Sequence, residues 1–377
     1  MNANTDTTLN NLIEIASQFK TSGKVIKVEE FGSGNINGTF IVTLDSVEEK
    51  HFILQSINQN VFHKPELVMR NISTFTNHVR QRLQDSPVTS NRRWEVPKVL
   101  LTQNNQDHFI DSENSFWRAI NFIDRAQTFD TITDNKHAGE VGYALGMFHN
   151  LISDLPVEKL ADTLPGFHVT PIYLKQYENV LMQNNASAKS PEVEYCLKFI
   201  NKRKSSASVL ENAQMQERLR LRPIHGDPKV NNVMIDTLNG QAISIIDLDT
   251  VKPGLVHYDV GDCLRSGCNP LGEETEDWQT VVFNTDICES LLGGYLSVAK
   301  HFLTESDYIY MYDAIRLIAF ELGLRFFTDY LAGNVYFKVK YPKHNLARAL
   351  VQFKLTESIE MQESAIRKMI STFSNRN

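Results

Sequence analysis

The stretch Ile224–Asp262, IHGDPKVNNVMIDTLNGQAISIIDLDTVKPGLVHYDVGD, decides the fold. Pro228 directly follows Asp227 and disfavours helical backbone there, so Asp227 belongs to a loop. Two apolar runs follow, Val233–Ile235 and Ala242–Ile246, separated by a turn containing Asn239-Gly240, a strong hairpin signal. A two-residue turn sets Asn232 directly opposite Asp247, with Cα atoms about 4.5–5.5 Å apart; a longer turn shifts the register by a residue. An amide oxygen and a carboxylate at one end of a hairpin suit Mg²⁺, which takes one or two protein oxygens beside phosphate oxygens and water. Asp227, in the loop feeding the same hairpin, is placed to orient or deprotonate an attacking hydroxyl. A positioning base, an Asn ligand and an Asp ligand are the parts that phosphoryl transfer requires.

An isolated His-Gly-Asp is a common chance match, and an Asn-Gly hairpin is usually only a hairpin. The ordered set is more specific. His225-Gly226-Asp227, Asn232, Ile246-Asp247 and Asp259 resemble the H-x-D-x-x-x-x-N … I-D … D signature of aminoglycoside phosphotransferase-like kinases, which replaces the H-R-D and D-F-G motifs of protein kinases. The resemblance implies an α+β, bilobal protein-kinase-like fold. It makes Asp227 the catalytic residue, also in contact with the acceptor, and assigns Mg²⁺ to Asn232 and Asp247. His225 and Asp259 would brace the catalytic loop. Asp249 stays open between a metal-shell group and a structural cap, and Asp262 reads as structural.

Working toward the amino terminus, the pattern from Val25 to about Ile123 is strand-like. Lys24–Glu30, Thr39–Leu44, His51–Ser56 and Phe116–Phe122 are short, rich in β-branched or aromatic residues and bounded by turn signals. Pro65–Gln84 reads as one helix between them, and Leu9, Leu12, Ile13, Ala16 and Phe19 as a short amphipathic helix before them. Gly32-Ser33-Gly34-Asn35-Ile36-Asn37-Gly38-Thr39 joins two predicted strands. Glycines let a backbone approach phosphates, and successive N–H groups form anion-binding concavities. Most such hairpins bind nothing, but ahead of a kinase-like catalytic loop this one becomes the expected phosphate-covering segment. Gly32, Ser33, Gly34, Asn35, Asn37 and Thr39 are its candidate nucleotide contacts. A hinge is expected at Asn121–Asp124, with Phe122 beside the adenine. Gln55 stands where kinases of this fold carry a phosphate-binding Lys; an amide donates a hydrogen bond but does not neutralise charge.

Toward the carboxy terminus the pattern turns helical, beginning with Val141, Ala144, Leu145, Phe148, Leu151 and Ile152. The polar run Asn201–Ala207 (NKRKSSA) reads as a solvated loop. Arg325 and Asp329 stand at i and i+4 on one helix face and can equally form a surface pair; Tyr330, Tyr336 and Phe337 can equally be packing residues. Across nearly the whole chain the wording is similar to that of N-acetylhexosamine 1-kinases: Gly32–Phe40, Phe52–Asn58 with its Gln, Met69-Arg70-Asn71, Trp117-Arg118, Ile246–Gly254 and Arg325–Asn345. Asn35 departs from that family, where a His is expected. The resemblance implies that Arg325 and Tyr336 contact a sugar. The implied reaction moves the γ-phosphoryl group of ATP to O1 of N-acetylglucosamine or N-acetylgalactosamine. Aminoglycoside, choline-like, homoserine and other sugar kinases of the same fold are the alternatives, and a nucleotide-binding pseudokinase is a further one suggested by Gln55.

The 377 residues suffice for two domains, expected at 1–123 (nucleotide-binding) and 124–377 (catalytic and sugar-binding). A net charge of −7 argues against a nucleic-acid partner. No run of about 20 apolar residues offers a membrane span, and the polar first ten residues lack a signal-peptide plan, so a cytoplasmic protein is expected. Cys196, Cys263, Cys268 and Cys288 show no paired spacing for zinc and are expected to be reduced.

Overall fold

In the computed structural model the described residues are 11–32, 36–85, 92–183 and 190–375. They form two compact units, Met1–Ala126 with Lys159–Thr163, and Gln127–Glu158 with Leu164–Asn377.

The first unit is built on an antiparallel sheet. Strands β1 (Val25–Glu30), β2 (Gly38–Leu44), β3 (His51–Ile57), β6 (Phe116–Asn121) and β4 (Val99–Leu100) lie in that order, and β5 (Phe109–Ile110) pairs with β6. Helix α1 (residues 11–16 of the described chain) supplies Ile15 and Ala16, which with Phe19 pack on Val28, Val42, Phe52, Leu54, Trp117 and Ala119 of one sheet face. Burial alternates along β3, with Phe52 and Leu54 buried and Ile53 and Gln55 partly exposed, as a strand with one face on a core requires. Helix α2 (Pro65–Asp85) buries Val68, Met69, Ile72, Phe75 and Val79 at helical spacing. Its Asn71 clasps Ala161 in both directions, donating to the carbonyl and accepting from the N–H, each at 2.8 Å. That clasp ties segment 159–163 to the first unit. Strand β7 (Ala126–Gln127) marks the division.

The second unit is mainly helical: α3 (Asn135–Leu151), α4 (Thr170–Gln183), α5 (Pro191–Arg203), α6 (Val209–Met215), α7 (Val256–Gly267), α8 (Thr285–Ala299), α9 (Glu305–Leu331), α10 (His344–Met361) and α11 (Glu363–Ser374). Two antiparallel pairs interrupt it, β8 (Arg222–Ile224) with β11 (Lys252–Gly254), and the hairpin of β9 (Val233–Asp236) with β10 (Ala242–Ile245) that lies between them in sequence. The ends are capped as local chemistry dictates. Asp134 accepts the His137 N–H to open α3, Ser190 and Pro191 open α5, and Thr304 and Asp307 form a capping box on α9. The core gathers Phe199, Phe320, Phe327, Leu350 and Phe353 around α9, with the Phe199 and Phe353 rings stacked at 4.6 Å. Helices α3 and α8 meet through glycines: a Cβ on Gly142 would lie 1.9 Å from the Leu291 carbonyl oxygen, and one on Gly294 2.0 Å from that of Gly139.

Two expectations are corrected here. The β9–β10 connection is longer than two residues: Asp236 and Gln241 bracket it, with the Gly240 N–H donating to the Asp236 carbonyl at 2.9 Å. The Asp236 carboxylate accepts the Leu238 N–H at 2.8 Å, a side-chain turn that favours the wider loop, and Gly240 supplies φ +71°. A register shift between Ala242 and Ser244 follows, so Asn232 faces Ile246, whose N–H it accepts at 2.9 Å, rather than Asp247. The run 201–207 is not an open loop. Helix α5 continues to Arg203, whose guanidinium binds Glu360 at 2.9 Å and lies 3.6 Å over the Phe199 ring, and a short 3₁₀ turn, Lys204–Ser206, follows. All four cysteines are free and buried.

Candidate active site

In the second unit the loop between β8 and β9 holds the first group of candidates. The carboxylate of Asp259, on the first turn of α7, accepts the N–H of His225 at 2.7 Å and of Gly226 at 2.8 Å. His149 of α3 donates through Nε2 to the same carboxylate at 2.8 Å. The His225 ring bridges the loop to the next strand, its Nε2–H donating to the Ile246 carbonyl at 2.9 Å while Nδ1 accepts the Asp227 N–H at 3.2 Å. Those partners require the neutral tautomer, and burial pushes the imidazole below its ordinary value. Gly226 has φ +87°, and a Cβ there would sit 2.8 Å from the Thr250 carbonyl oxygen, so only glycine lets the loop pass.

Asp227 projects from this frame with 28% of its side chain exposed. Burial pushes its carboxyl above the usual range, although the Lys229 ammonium, 3.1 Å away, opposes the rise. Lys229 itself is raised, chiefly by Asp227. Asn232 donates through Nδ2 to the Asp227 carbonyl at 2.7 Å, which turns its Oδ1 the other way. Asp247 follows the end of β10 with φ +64°, a left-handed backbone that a non-glycine residue adopts only where its surroundings enforce it. Asn232 and Asp247 are hard oxygen donors of the kind Mg²⁺ accepts, and their number fits a cation that keeps water and phosphate ligands. Among the described residues no cluster of three or more His, Cys, Asp or Glu offers an alternative metal site. Asp262 is buried and bound by Arg265 at 2.7 Å, as a structural role requires. Asp249 is buried in the short turn after Asp247.

Helix α9 organises the remaining candidates through one stripe, Glu321, Arg325 and Asp329, at i, i+4 and i+8. The Arg325–Asp329 surface pair that the spacing left open does not form. Asp329 is buried and accepts the N–H groups of Val335 (2.9 Å), Tyr336 (2.8 Å) and Phe337 (3.0 Å), with Asn345 Nδ2 at 2.9 Å. Backbone donors from a tight loop outcompete a flexible guanidinium, because they meet the carboxylate without loss of side-chain freedom. Tyr336 is thereby held 57% exposed on a fixed loop. Arg325 instead lies among the rings of Tyr173 (4.8 Å), Phe167 (5.2 Å) and Phe337 (5.5 Å). Among the described residues no carboxylate pairs with it. Glu321 is committed elsewhere, accepting from His168 Nδ1 at 3.0 Å and from Thr170 Oγ1 at 2.8 Å. The other ring nitrogen of His168 donates to the Gly226 carbonyl at 2.7 Å. Both partners are acceptors, and although burial disfavours charge on that ring, Glu321 overrides it and raises the His168 pKa.

In the first unit Gln55 lies in the β2–β3–β6 sheet, its Nε2 donating to Thr39 Oγ1 at 3.1 Å. Asn37 accepts the Asn58 N–H at 2.9 Å, and Phe31 N–H donates to the Thr39 carbonyl at 2.9 Å, closing the base of the glycine-rich connection. Gly32 has φ +78°. Ser33, Gly34 and Asn35 lie outside the described residues. Phe122 packs edge-on against Phe31 at 6.2 Å and His51 at 5.6 Å.

Four neighbours of the candidates escaped the sequence reading: Lys229, His149, His168 and Glu321. Lys229 was within reach, two residues past Asp227. Glu321 was within reach too, one helical turn before Arg325. His149 and His168 approach from a helix and a loop remote in sequence, and no local spacing points to them.

Residues 27–279 match the model of a family described as the phosphotransferase enzyme family, APH. The chain belongs to that family. Its fold is similar to that of an aminoglycoside phosphotransferase from Alicyclobacillus acidocaldarius, at TM-score 0.63 and 13% identity over 95% of this chain and 96% of the other. A microcompartment-associated aminopropanol kinase gives TM-score 0.60 at 13% identity, over 95% and 98%. A choline kinase from Cryptosporidium parvum gives 0.57 at 15%, over 98% and 99%. This phosphotransferase therefore has the α+β kinase-like fold, an antiparallel first unit and a larger helical second one. Among the described residues no helix is long and apolar enough to cross a membrane.

Proposed function

We propose that this phosphotransferase transfers the γ-phosphoryl group of ATP to the anomeric hydroxyl of an N-acetylhexosamine. The observation that carries the reading is the acceptor-side charge. Arg325 presents a guanidinium among aromatic rings with no carboxylate of the described residues paired to it, while Glu321 and Asp329 are consumed by His168, Thr170 and the 335–337 backbone. Such a site repels cationic acceptors such as aminoglycosides, choline or ethanolamine. It suits a neutral sugar whose hydroxyl or acetamide oxygens accept from the guanidinium and whose apolar face lies on a ring such as Tyr336.

The chemistry then follows from the loop. The acceptor O1 attacks the γ-phosphorus, the bond to the β–γ bridging oxygen breaks, ADP leaves, and the O1 proton passes to the Asp227 carboxylate. An anomeric hydroxyl is more acidic than an ordinary alcohol, so Asp227 chiefly orients it and takes the proton late. Its raised pKa makes it a better base than an exposed carboxylate. Lys229 opposes the rise in that carboxylate's pKa and places positive charge beside the transferring group. Asn232 and Asp247 would hold Mg²⁺, which neutralises phosphate charge when bound. His225, Asp259 and His149 fix the loop, so alignment requires no rearrangement at the moment of transfer.

The test is turnover of Mg·ATP against a panel of N-acetylglucosamine, N-acetylgalactosamine, the parent hexoses, kanamycin, choline and homoserine. Activity confined to the N-acetyl sugars and lost in Arg325→Ala supports the reading. Preferential turnover of a cationic acceptor refutes it, and absence of turnover with every acceptor points to a nucleotide-binding protein without kinase activity.

A further inference from the structure

The peptide plane that launches Asp227 is held at both ends. Its N–H, on Asp227, donates to His225 Nδ1 at 3.2 Å, and its carbonyl, on Gly226, accepts from His168 Nε2 at 2.7 Å. A peptide unit is planar, so bonds at its two ends fix its rotation and the direction in which the next side chain leaves. The plane after Asp227 is held as well, its carbonyl accepting from Asn232 Nδ2 at 2.7 Å. His225 and Asn232 belong to the loop itself. His168 comes from outside it, 58 positions earlier and just ahead of α4. Its other ring nitrogen meets the Glu321 carboxylate at 3.0 Å, and the second oxygen of that carboxylate accepts from Thr170 Oγ1 at 2.8 Å. All three side chains are buried. Both ring partners are acceptors, so a ring that serves both carries a proton on each nitrogen. The His168 backbone has φ +65°, which costs a non-glycine residue and persists only where its surroundings enforce it.

We propose that His168 is a positioning residue for phosphoryl transfer, holding the Gly226–Asp227 peptide from outside the catalytic loop and tying it to Glu321 on α9. Glu321 stands one helical turn before Arg325, so a single helix carries the candidate acceptor contact and anchors the candidate base. Rotation of the peptide plane would swing the Asp227 carboxylate away from the acceptor hydroxyl while leaving the groups that bind substrate in place. His168 acts through the backbone and not on the reacting atoms. The proposal rests on Asp227 as the base and is independent of which acceptor is used.

The experiment is steady-state kinetics beside thermal unfolding on the wild type, His168→Asn, His168→Gln and Asp227→Asn, with Mg·ATP and the acceptor of the panel above that turns over fastest. A glutamine places its amide nitrogen where Nε2 stands and can donate to the Gly226 carbonyl, whereas an asparagine matches Nδ1 and falls short of it. Asparagine accommodates positive φ better than glutamine. His168→Asn is therefore expected to be the more stable of the two and yet to lose about 10–100-fold in kcat, with kcat/KM for both substrates falling in step. His168→Gln is expected to recover most of that loss. A merely structural tie would rank rate with stability instead. A folded His168→Asn protein with wild-type kcat overturns the proposal, as does a folded His168→Gln protein as slow as the asparagine variant. If only His168→Gln folds, a kcat near that of the wild type supports the proposal and a loss of the size expected for His168→Asn overturns it. If neither folds, nitrogen-15 spectra of the wild-type imidazole decide: a protonated Nε2 supports the bond to the carbonyl, and an unprotonated one overturns it. Turnover that survives in Asp227→Asn, or a wild type that turns over no acceptor, overturns the reading beneath and this proposal with it. An inactive Asp227→Asn beside an unimpaired His168→Asn overturns this proposal alone.

Discussion

The Nδ2 amide of Asn232 donates to the backbone carbonyl of Asp227 at 2.7 Å. One hydrogen bond thus sets two candidates at once: the height of the Asp227 side chain on its loop and the direction of the Asn232 oxygen. Asn232→Ala is expected to lower turnover and to raise the Mg²⁺ concentration needed for half-maximal rate by about 10–100-fold or more, since loss of even an outer-shell partner costs that much. An Mg²⁺ titration at saturating ATP and acceptor measures this. An unchanged Mg²⁺ requirement would remove Asn232 from the metal.

Lys229 and Asp227 form a pair with a definite pH consequence. Burial raises the Asp227 pKa, Lys229 partly offsets the rise, and the proposed mechanism requires the ionised carboxylate. Rate should therefore fall as pH drops through the raised pKa. Lys229→Met removes the offsetting charge, so the acid limb of kcat/KM should move to higher pH, with turnover at the optimum down about 100-fold. A limb that stays in place, or moves to lower pH, excludes the coupling.

Asp329 should separate binding from chemistry. Its carboxylate accepts three successive backbone N–H groups, and Asp329→Ala leaves them without their partner. Hydrogen bonds to charged groups contribute about 1.5–3 kcal/mol each, but a surface loop recovers some by hydration, so a net loss of about 3 kcal/mol is expected. Loss of the fixed Tyr336 should raise KM for the acceptor more than it lowers kcat. Steady-state kinetics alongside thermal unfolding check both parts, and an unaltered acceptor KM would detach the 335–337 loop from the acceptor.

Gly142→Ala tests the fold rather than the site. Its Cβ would meet the Leu291 carbonyl oxygen at 1.9 Å, and backbone on α8 cannot yield as a side chain does. A destabilisation of about 3 kcal/mol or more is expected by chemical denaturation. A variant as stable as wild type would mean that α3 and α8 do not pack this closely.

Much of the architecture was legible because it is local. The strands around Val42 and Leu54 alternate with period two, and α2 shows its stripe of Val68, Ile72, Phe75 and Val79. The order of His225, Asp227, Asn232 and Asp247 was equally local, and the loop that carries them follows from Pro228. The hairpin register was not. It depends on the Asp236 carboxylate turning onto Leu238 and on a shift near Ala242, which pattern alone does not reveal. Charge pairing was also hidden. Arg325 and Asp329 share a helix face, yet each finds partners elsewhere, in rings of distant segments and in a loop that folds back. His168 reaches the Gly226 carbonyl across 58 positions of chain.

The most direct test of the central claim is phosphorus-31 NMR of the purified protein with ATP, Mg²⁺ and N-acetylglucosamine or N-acetylgalactosamine, run beside Asp227→Asn. The account predicts a new sugar-phosphate resonance coupled to the anomeric proton, formed with ADP in equal amount and nearly abolished in a folded Asp227→Asn protein. A phosphate on any other position, or turnover that survives in that variant, would contradict it.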